Sequence, residues 1–582
     1  MLPLYKTLIF LLSYLCCISA SAQPRVDVKL TGIGGELETN VRLYLSIEQQ
    51  KDHPLLSAGR IRRLHQKASL EIINALQPYG YYRPQIETQL TQTNGDNDYW
   101  QAIYSIEPGP QIPISAIDLD VRNDMFSDVA FHPVLANLPL RQGEGFTHMN
   151  YETAKTSLAK LAAERGYFNA RFIESRVEID LEAYEARITL HYNSGPRFRF
   201  GEVTLAQDVL EPELLARYIP FEQGDPYDLN QVIGLQQALN DSDYFRLVEV
   251  SPGEIEHGNK NVPVSVILAP RKRHKYTLGL GYGTDTGARA KLGWEMPRIN
   301  RRGHRFDSEL NVSQIGYSAS AYYRIPVFNP RTDQLVFSAG IIHEETDTSI
   351  STIRTIGASL NRSRNKWRQA LSLNYQQEQF EVADDIGEST LLMPGVSWSR
   401  IWRAKRVLLV LDGIRLDLSL RGATDKIISD TNFSQATGSI KAIRSISSRG
   451  RFIARGKLGS TWTRSFHQLP SSVRFFAGGA ESVRGYAYES LGPTDADGDV
   501  EGGKHLIIGS LEYDHRIKGK WRAALFYDRG NAINATSDPL EDGAGFGIRW
   551  QSPVGPIRVD FANALSRDDR PWRLHINIGP DL

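Results

Sequence analysis

Cysteine is almost missing from this 582-residue chain, because its only two cysteines, Cys16 and Cys17, stand side by side near the N-terminus. A disulfide framework is therefore excluded for the rest of the chain. Neither charge is in excess, since 67 basic residues balance 67 acidic ones, which argues against a general nucleic-acid-binding surface. Apolar runs long enough for a membrane helix are missing, so a membrane location would require a β-barrel.

Catalytic motifs are missing too. The chain has no phosphate-binding glycine loop, no H-E-x-x-H and no nucleophile elbow, so nothing in it argues for an enzyme, a cofactor or a metal. Residues 495–501 resemble the start of a calcium-binding loop, but its twelfth position, where a bidentate glutamate is required, is Leu506. A solvated acidic loop is the preferred interpretation. The basic run 271–275 could contact anionic lipid or a partner, or could be a solvated junction.

The first 22 residues have the organisation of a secretory signal peptide. Lys6 precedes an apolar stretch, and small residues end the segment at Ala22. Bulky residues precede Cys16, which disfavours a lipoprotein site there. Cleavage after Ala22 would leave a mature chain without cysteine, which suits an oxidising compartment.

The N-terminal half repeats a short aromatic motif. Gly80-Tyr81-Tyr82, Gly166-Tyr167-Phe168 and Asp243-Tyr244-Phe245 each follow an amphipathic helical stretch and precede a strand-like run. Each unit thus has the order β-α-α-β-β, and its length of roughly 80 residues indicates a string of small domains rather than a solenoid. Three generic α+β domains without a shared role are the alternative. The predicted domains span residues 23–110, 111–196 and 197–270.

The C-terminal half, from about Tyr276, consists of short runs of alternating polarity separated by turn residues. About 16 such runs occur, with tryptophans mostly near their ends, where interfacial aromatic residues belong in a membrane barrel. A soluble β-sandwich would need far fewer strands. Residues 271–582 are therefore predicted to form an all-β transmembrane barrel of about 16 antiparallel strands. Five of the clearest runs are residues 276–284, 316–325, 352–360, 367–375 and 506–516.

A glycine-rich loop, residues 475–486, is predicted between the eleventh and twelfth strands of the barrel. It contains a single arginine, Arg484, between Val483 and Gly485-Tyr486. Glycines allow a long loop to fold tightly, and a guanidinium offers a planar fork for carboxylates. An ordinary hairpin loop is the alternative.

Two further motifs follow residues 475–486, which we call the arginine loop. In Ser510-Leu511-Glu512-Tyr513, strand alternation directs Glu512 to the face opposite Leu511. The next run carries F-x-D-x-G, with the carboxylate at Asp528. Both carboxylates could also be ordinary lumen groups facing water.

Together the repeats, the arginine loop and the two strand motifs resemble the superfamily of barrels that assemble or secrete outer-membrane proteins. The resemblance implies that the three N-terminal units are POTRA domains and that the chain lies in the outer membrane with these units in the periplasm. It also implies that the loop folds back into the barrel lumen, where Arg484 meets Glu512 and Asp528.

Within that superfamily the chain resembles the translocation and assembly module family. The residues that carry this likeness are 281–287 and 293–297 in the first barrel hairpin and 579–582 at the end. The resemblance implies assembly of autotransporters and other unfolded outer-membrane proteins, contact with outer-membrane lipid, and a TamB-like partner anchored in the inner membrane. One feature departs from the pattern, because no terminal aromatic follows residues 573–578.

Other functions stay open. The general barrel-assembly factor of this superfamily usually has five POTRA domains, and two-partner secretion transporters usually have two and a plugging helix. A passive porin is an alternative from another class, although a pore needs no periplasmic repeats. A purely structural or adhesive role is a further alternative.

Barrel closure is predicted to leave a weak lateral seam between the first and last strands. Glycines weaken the first strand, and Gly579 followed by Pro580 ends the last strand early because proline lacks an N–H donor. Such a seam could open sideways and template a substrate strand, or the glycines could fit a tight bend. The residues predicted to line it are Gly279, Leu280, Gly281, Gly283, Ile576, Ile578 and Gly579.

Overall fold

The structure, a computed structural model, describes residues 24–93, 99–256, 258–403, 412–552 and 555–578. The predicted signal peptide, both cysteines, Gly579 of the predicted seam and the terminal residues 580–582 lie outside these residues. Within the described part of the chain, no helix has the length and apolar character needed to cross a membrane.

The N-terminal half forms three small sheets in the part of the chain that is described. In each of the first two sheets, the last strand of the unit lies in the centre. It runs parallel to the first strand of the unit and antiparallel to the second. The spatial orders are β1-β3-β2, β4-β6-β5 and β7-β9-β8. These strands are β1 Arg25–Thr31, β2 Gln85–Thr93, β3 Tyr99–Glu107, β4 Ile114–Arg122, β5 Arg171–Asp180, β6 Glu185–Asn193, β7 Arg199–Ala206, β8 Phe245–Pro252 and β9 Asn261–Pro270.

Helices precede the second and third strands of each sheet. The described α-helices are α1 Gly35–Tyr44, α2 Ser46–Gln49, α3 Ala58–Leu76, α4 His132–Ala136, α5 His148–Glu164, α6 Pro212–Ala216 and α7 Leu229–Asp241. Short 3₁₀ turns span Gln77–Tyr79, Asp124–Ser127, Val129–Phe131, Phe466–Gln468 and Ser471–Val473. This β-α-α-β-β order is the one the repeated motif predicts, while the exact domain bounds stay a prediction.

The long helices are amphipathic and capped at their N-termini. The Ser57 hydroxyl accepts a hydrogen bond from the Arg60 amide at the start of α3, and Thr147 does the same at α5. The buried residues of each helix recur every three or four positions and pack on the adjoining sheet. Each of these two units therefore has its own hydrophobic core.

The repeated aromatic motif joins consecutive units. Gly80 and Gly166 have positive φ angles, which allow the tight turn after each long helix. Their carbonyls accept hydrogen bonds from Ile112 and Phe198, which begin the following unit (2.9 Å each). The motif is thus the junction at which one unit docks on the next.

Chain contacts divide the protein into two compact units. One contains the first two repeats and parts of the third, and the other contains the remainder of the third repeat and the C-terminal half. Within the second unit, the buried Tyr244 hydroxyl donates to the Gly303 carbonyl (2.6 Å), and Arg217 donates to the Phe328 carbonyl (2.9 Å). These bonds tie the third repeat to turns of the C-terminal sheet.

The C-terminal half is a sheet of sixteen strands in chain order, each antiparallel to the next, and it confirms the predicted barrel. Its strands are β10 Lys275–Gly283, β11 Gly287–Met296, β12 Arg305–Ser313, β13 Gly316–Pro326, β14 Asp333–Glu345, β15 Ser349–Arg364, β16 Trp367–Val382, β17 Asp385–Arg403, β18 Gly413–Ala423, β19 Phe433–Ser445, β20 Gly450–Trp462, β21 His505–Lys518, β22 Trp521–Ile533, β23 Glu541–Ser552, β24 Gly555–Ala564 and β25 Trp572–Ile578.

Strand alternation divides this sheet into two faces. In β21, Leu511 is exposed whereas Glu512 and Asp514 are buried, as the alternating pattern predicts. The exposed face carries leucine, isoleucine and aromatic side chains from successive strands, such as Leu371 and Leu525. An apolar outward face and a polar, charged inward face are the arrangement of a membrane barrel.

Candidate functional site

The arginine loop lies in the connection between β20 and β21, between the eleventh and twelfth barrel strands. Its central residue, Arg484, is only 2% exposed. It contacts inward-facing side chains of β21, β22 and β24, so this part of the loop lies inside the barrel.

Arg484 is held by two carboxylates and an aromatic ring. Its Nε and Nη2 atoms donate to the two oxygens of Asp528 (2.6 and 2.8 Å), and Nη1 donates to Glu512 (2.8 Å). The guanidinium lies over Phe526, 3.4 Å from the ring centroid, and Nη2 reaches the Ser510 hydroxyl (3.3 Å). Bidentate, charge-assisted bonds in a buried site fix both the position and the orientation of the arginine.

A wider network of charges surrounds this pair. Asp560 lies 3.4 Å from Arg484, and Arg549 donates to Glu512 (3.0 Å) and to Asp560. Arg455 lies 3.9 Å from the Asp528 carboxylate. Three arginines thus balance three carboxylates, and this compensation offsets the cost of removing the charges from water.

The neighbours of Arg484 explain the rest of the motif. Val483 and Tyr486 are buried in a small apolar cluster, and the Tyr486 hydroxyl donates to Glu541 (3.0 Å). Gly485 has a φ angle of 101°, and a Cβ atom there would lie 2.9 Å from the Ala564 amide nitrogen. Only glycine fits this close approach without strain.

The arginine loop is hydrogen-bonded to both edges of the sixteen-stranded sheet. Beside the first strand, the Ala480 amide donates to Asp285 in the β10–β11 turn (2.8 Å). Beside the last strand, the Gly485 amide donates to Nε2 of His575, which is 1% exposed (3.0 Å). The loop therefore bridges the β10–β11 turn, next to the first strand, and the last strand.

Glu481 strengthens this bridge. Its carboxylate accepts a hydrogen bond from Asn577 of β25 (2.8 Å) and lies beside Arg455 of β20 and Arg558 of β24 (3.0 and 3.3 Å). One loop residue thus connects three strands, including the terminal one.

The two edge strands are joined by few bonds. Thr284 donates through its amide to the Ile576 carbonyl (3.3 Å), and its hydroxyl accepts from the Ile576 amide (3.2 Å). Arg289 donates to the Ile578 carbonyl (2.9 Å). Among the described residues no strand ladder pairs β25 with β10, so the barrel is nearly closed rather than continuous.

The structure brings most of the residues predicted for the seam together, since Gly279, Leu280, Gly281 and Ile578 line one cavity. Gly283 and Ile576 lie beside each other, and Ile578 lies beside Arg289. Ile576 is paired with Thr284, whereas Leu280 points outward along β10 and is 81% exposed. Gly279 and Gly281 lie opposite β11 residues in the first hairpin, and Gly579 is outside the described residues.

Several residues of the site were not predicted from the sequence. Asp560 and Arg549 lie on polar positions of alternating strands, so they could have been assigned to the lumen. The contact of Asp560 with Arg484, and those of Arg549 with Glu512 and Asp560, depend on the strand register. Glu378 was also missed. It is buried and accepts hydrogen bonds from Ser471 (2.8 Å) and the Ser472 amide (3.1 Å), which anchors the start of the same connection.

The calcium-like segment folds as a turn. The Asp495 side chain accepts hydrogen bonds from the Asp497 and Asp499 amides (3.0 and 2.9 Å). The described residues contain no group of three or more histidine, cysteine or acidic side chains placed to hold a metal ion.

Comparison with known proteins supports this description. The Omp85 superfamily domain matches residues 274–581, which is more than half of the chain. This chain belongs to the Omp85 superfamily. A second match, to the POTRA domain TamA domain 1, covers residues 27–108 of this Omp85 protein.

Curated relatives of the Omp85 chain are distant. Outer membrane protein assembly factor BamA of Neorickettsia risticii is 20% identical over 73% of this chain, and the alignment spans 60% of that relative. Outer envelope protein 80, chloroplastic, of Arabidopsis thaliana is 31% identical over 18% of this chain and 14% of that protein.

Among solved structures, BamA from Haemophilus ducreyi lacking POTRA domains 1-3 is similar in fold. It has a TM-score of 0.66 and 16% identity, covering 80% of this chain and 99% of that one. The Omp85 chain is thus an outer-membrane β-barrel with N-terminal POTRA domains in the periplasm.

Proposed function

We propose that this chain is an outer-membrane assembly factor of the TamA type, which inserts autotransporters and other β-barrel proteins into the outer membrane. The observation that carries the proposal is the seam between β10 and β25, where few hydrogen bonds join two strand edges. A closed channel does not need unpaired strand edges. Their free N–H and C=O groups pair with strands of other chains, which is the property that strand insertion uses.

The seam provides the chemistry that strand addition needs. Unpaired N–H and C=O groups on an edge strand bind an extended peptide through main-chain hydrogen bonds, with little demand on its sequence. The outward side chains beside them, such as Leu280 and Leu574, are apolar. A substrate strand could therefore pair with the edge while its own apolar side chains enter lipid.

The arginine loop would control this opening. Because it is hydrogen-bonded to Asp285 near one edge and to His575 at the other, separation of the edges breaks bonds to the loop as well. Arg484 anchors the loop to strands that lie away from β10. In this proposal the loop keeps the seam closed until substrate arrives.

The periplasmic repeats would dock a TamB-like partner and guide unfolded substrates. The outer strands of their three-stranded sheets, such as β2, leave one edge free for strand addition within the described residues. The TamA-type match to residues 27–108 supports a TamA-like role for the first repeat. Recovery of a TamB-like protein on the immobilised full chain, and its loss without residues 24–107, would support this partner.

A disulfide across the seam tests the proposed mechanism. Thr284 and Ile576 are joined by two hydrogen bonds across the seam, one of them through the Thr284 hydroxyl, so cysteines are introduced there and at neighbouring positions to find the pair that meets disulfide geometry. Thr284→Cys with Ile576→Cys should lock the seam, stop autotransporter assembly, and recover activity on reduction. The matched control is Leu278→Cys with Leu292→Cys, which staples two outward-facing residues that are already paired in the β10–β11 ladder.

The control separates locking from the presence of a disulfide. The Leu278–Leu292 staple should leave assembly unchanged under oxidising conditions. Full activity of a completely oxidised Thr284–Ile576 variant would reject lateral opening as the mechanism.

A general barrel-assembly factor is the second candidate, favoured by the BamA alignment that covers 73% of this chain. The two functions differ in client range. Depletion of a general factor should lower all outer-membrane barrels, whereas depletion of a TamA-type factor should affect a subset that includes autotransporters. Quantitative proteomics of outer membranes after depletion distinguishes them.

A further inference from the structure

Two stretches of the sequence, residues 362–368 and 400–406, carry an unusual run of positive charge. Residues 362–368 and the described residues 400–403 lie at the end of the barrel where the chain enters at Lys275, which we call the periplasmic rim. Residues 362–368 and 400–406 contain eight basic residues and no acidic residue, in a chain whose basic and acidic residues are equal in number. The basic residues are Arg362, Arg364, Lys366, Arg368, Arg400, Arg403, Lys405 and Arg406.

Two of these arginines, Arg362 and Arg400, face outward from the barrel. Arg362 pairs with Gln369, which in turn pairs with Trp398. Arg400 stands two residues from Trp398 on the same face of β17. Leu371 lies on the same outward face of β16, two residues further from the rim than Gln369, and is 62% exposed. The arginines therefore lie at the border of the apolar belt.

Aromatic rings hold both guanidinium groups in place. The Arg400 guanidinium lies 4.6 Å from the ring centre of Trp402 and 5.4 Å from that of Trp367. The Arg362 guanidinium lies 5.2 Å from the ring centre of Phe328. Cation–π contacts of this kind orient an arginine but do not neutralise its charge.

Neither arginine forms an ion pair in the described part of the chain, although Asp333 stands directly opposite Arg362 in the β14–β15 ladder. Their Nε atoms are shielded from solvent and have no hydrogen-bond partner there. The adjacent Arg364, by contrast, is paired with Asp333 (2.8 Å). Residues 404–411, which are not described, contain no aspartate or glutamate that could supply a partner.

We propose that Arg362 and Arg400 form a binding site for the phosphate of an anionic phospholipid in the periplasmic leaflet. An unpaired guanidinium on the lipid-facing wall requires an anion at its own depth, and the phosphate of a lipid headgroup lies at that depth. Planar guanidinium groups bind phosphate oxygens in a bidentate manner. The Trp367 and Trp402 rings provide the interfacial aromatic surface that packs on the glycerol and upper acyl region.

The surroundings favour a lipid over an acidic protein partner. Both arginines share their face with apolar side chains such as Leu371 and Leu418, which are exposed on the outward wall. A soluble protein would have to leave these side chains uncovered or bury its own charge among them. A phospholipid covers the apolar surface with its chains and the arginines with its headgroup.

Local lipid composition around the full chain tests the site. The two native cysteines are replaced by alanine, and a fluorophore is attached at Gln369→Cys, an exposed outward position between Arg362 and Trp398. The protein is reconstituted in vesicles containing a small fraction of brominated phosphatidylglycerol or brominated phosphatidylcholine in a phosphatidylcholine background. Quenching then reports which lipid occupies the site.

Phosphatidylglycerol should quench at a much lower mole fraction than phosphatidylcholine. The expected preference is about fivefold for each arginine and about 25-fold for both. The fluorophore on the double variant Arg362→Gln with Arg400→Gln should be quenched equally by the two brominated lipids. The control, Arg324→Gln with Arg415→Gln, removes the same charge from inward-facing arginines paired with aspartates on β12 and β18, and should keep the preference.

Two results would overturn the proposal. One is equal quenching of the unsubstituted protein by both lipids, which would leave a protein partner or solvent as the occupant. The other is an equal loss of preference in the control variant, because the effect would then come from net charge at the rim and not from the two stacked arginines.

Discussion

Replacement of Arg484 by methionine should release the arginine loop from the lumen without unfolding the barrel. Methionine keeps an extended apolar stem but removes every side-chain donor to Asp528 and Glu512, so only the backbone amide of residue 484 still donates to Asp528 (3.1 Å). Arg549 and Arg455 then face three carboxylates, so one negative charge is left uncompensated in buried surroundings. The loop therefore loses its main anchor.

The magnitude follows from the burial of the pair. The Arg484 and Asp528 side chains are 2% and 0% exposed, and removal of one partner from such a pair costs about 3–5 kcal/mol. At about 1.4 kcal/mol for each factor of ten, the population of released loop rises roughly 10²- to 4 × 10³-fold. The sixteen-stranded ladder does not depend on Arg484, so the barrel itself should remain folded.

Thiol labelling of a cysteine placed at Val483, which is fully buried, in a chain without Cys16 and Cys17, measures loop release. Labelling should be slow in the parent protein and faster by the factor above in the Arg484→Met variant, while barrel folding on unheated gels is unchanged. Arg451→Met is the matched control, since Arg451 forms an equally buried pair with Asp514 (2.7 Å) that does not contact the loop.

A double-mutant cycle separates the ion pair from other effects. Asp528→Asn combined with Arg484→Met restores the balance of two arginines and two carboxylates, so the double variant should label more slowly than the sum of the single effects predicts. Strictly additive effects, or equal labelling of the Arg484→Met and Arg451→Met variants, would refute the idea that Arg484 is the loop anchor.

Four further outcomes are expected. Gly485→Ala should weaken the loop seat by about 1–3 kcal/mol, because alanine is strained at a φ angle of 101°, and thiol labelling at the same reporter position would measure it. Tyr244→Phe should lower stability by about 1 kcal/mol through loss of a buried hydrogen bond to the turn before β12, as measured by denaturant unfolding. Burial alone would raise the pKa of Asp128, but hydrogen bonds and the charge of Arg165 outweigh it and lower that pKa. The stabilisation is present above the ordinary pKa of about 3.9 and is lost as pH falls through the folded value, so Asp128→Asn should remove this acid-induced loss in pH-dependent unfolding. Deletion of residues 24–196 should leave a barrel that folds on unheated gels but does not assemble substrate; undiminished assembly would contradict a docking role for the first two repeats.

Most of the fold could be predicted from the sequence because its signals are local. Alternation in runs such as residues 506–516 marks a strand whose two faces differ, and glycine at Gly80 and Gly166 marks the turn after each long helix. Strand lengths were underestimated. The predicted runs 352–360 and 367–375 belong to β15 and β16, which extend over 16 residues each.

The site could be predicted only in part, because its remaining contacts depend on register. Arg484, Glu512 and Asp528 lie in recognisable motifs, so their residue types could be assigned in advance. Asp560 and His575 come from strands that are distant in sequence, and no local pattern indicates that they meet the loop. The connection from the loop to both sheet edges is therefore a property of the folded barrel.

Site-specific photocrosslinking at the seam during assembly is the most direct test of the account. A photoreactive residue replaces Leu280, an outward residue of the first strand, or Ile356, an equally outward residue of β15 away from the seam. The account predicts adducts between position 280 and the terminal strand of an autotransporter substrate, and none from position 356. Normal assembly without adducts at position 280, or equal adducts at both positions, would contradict it.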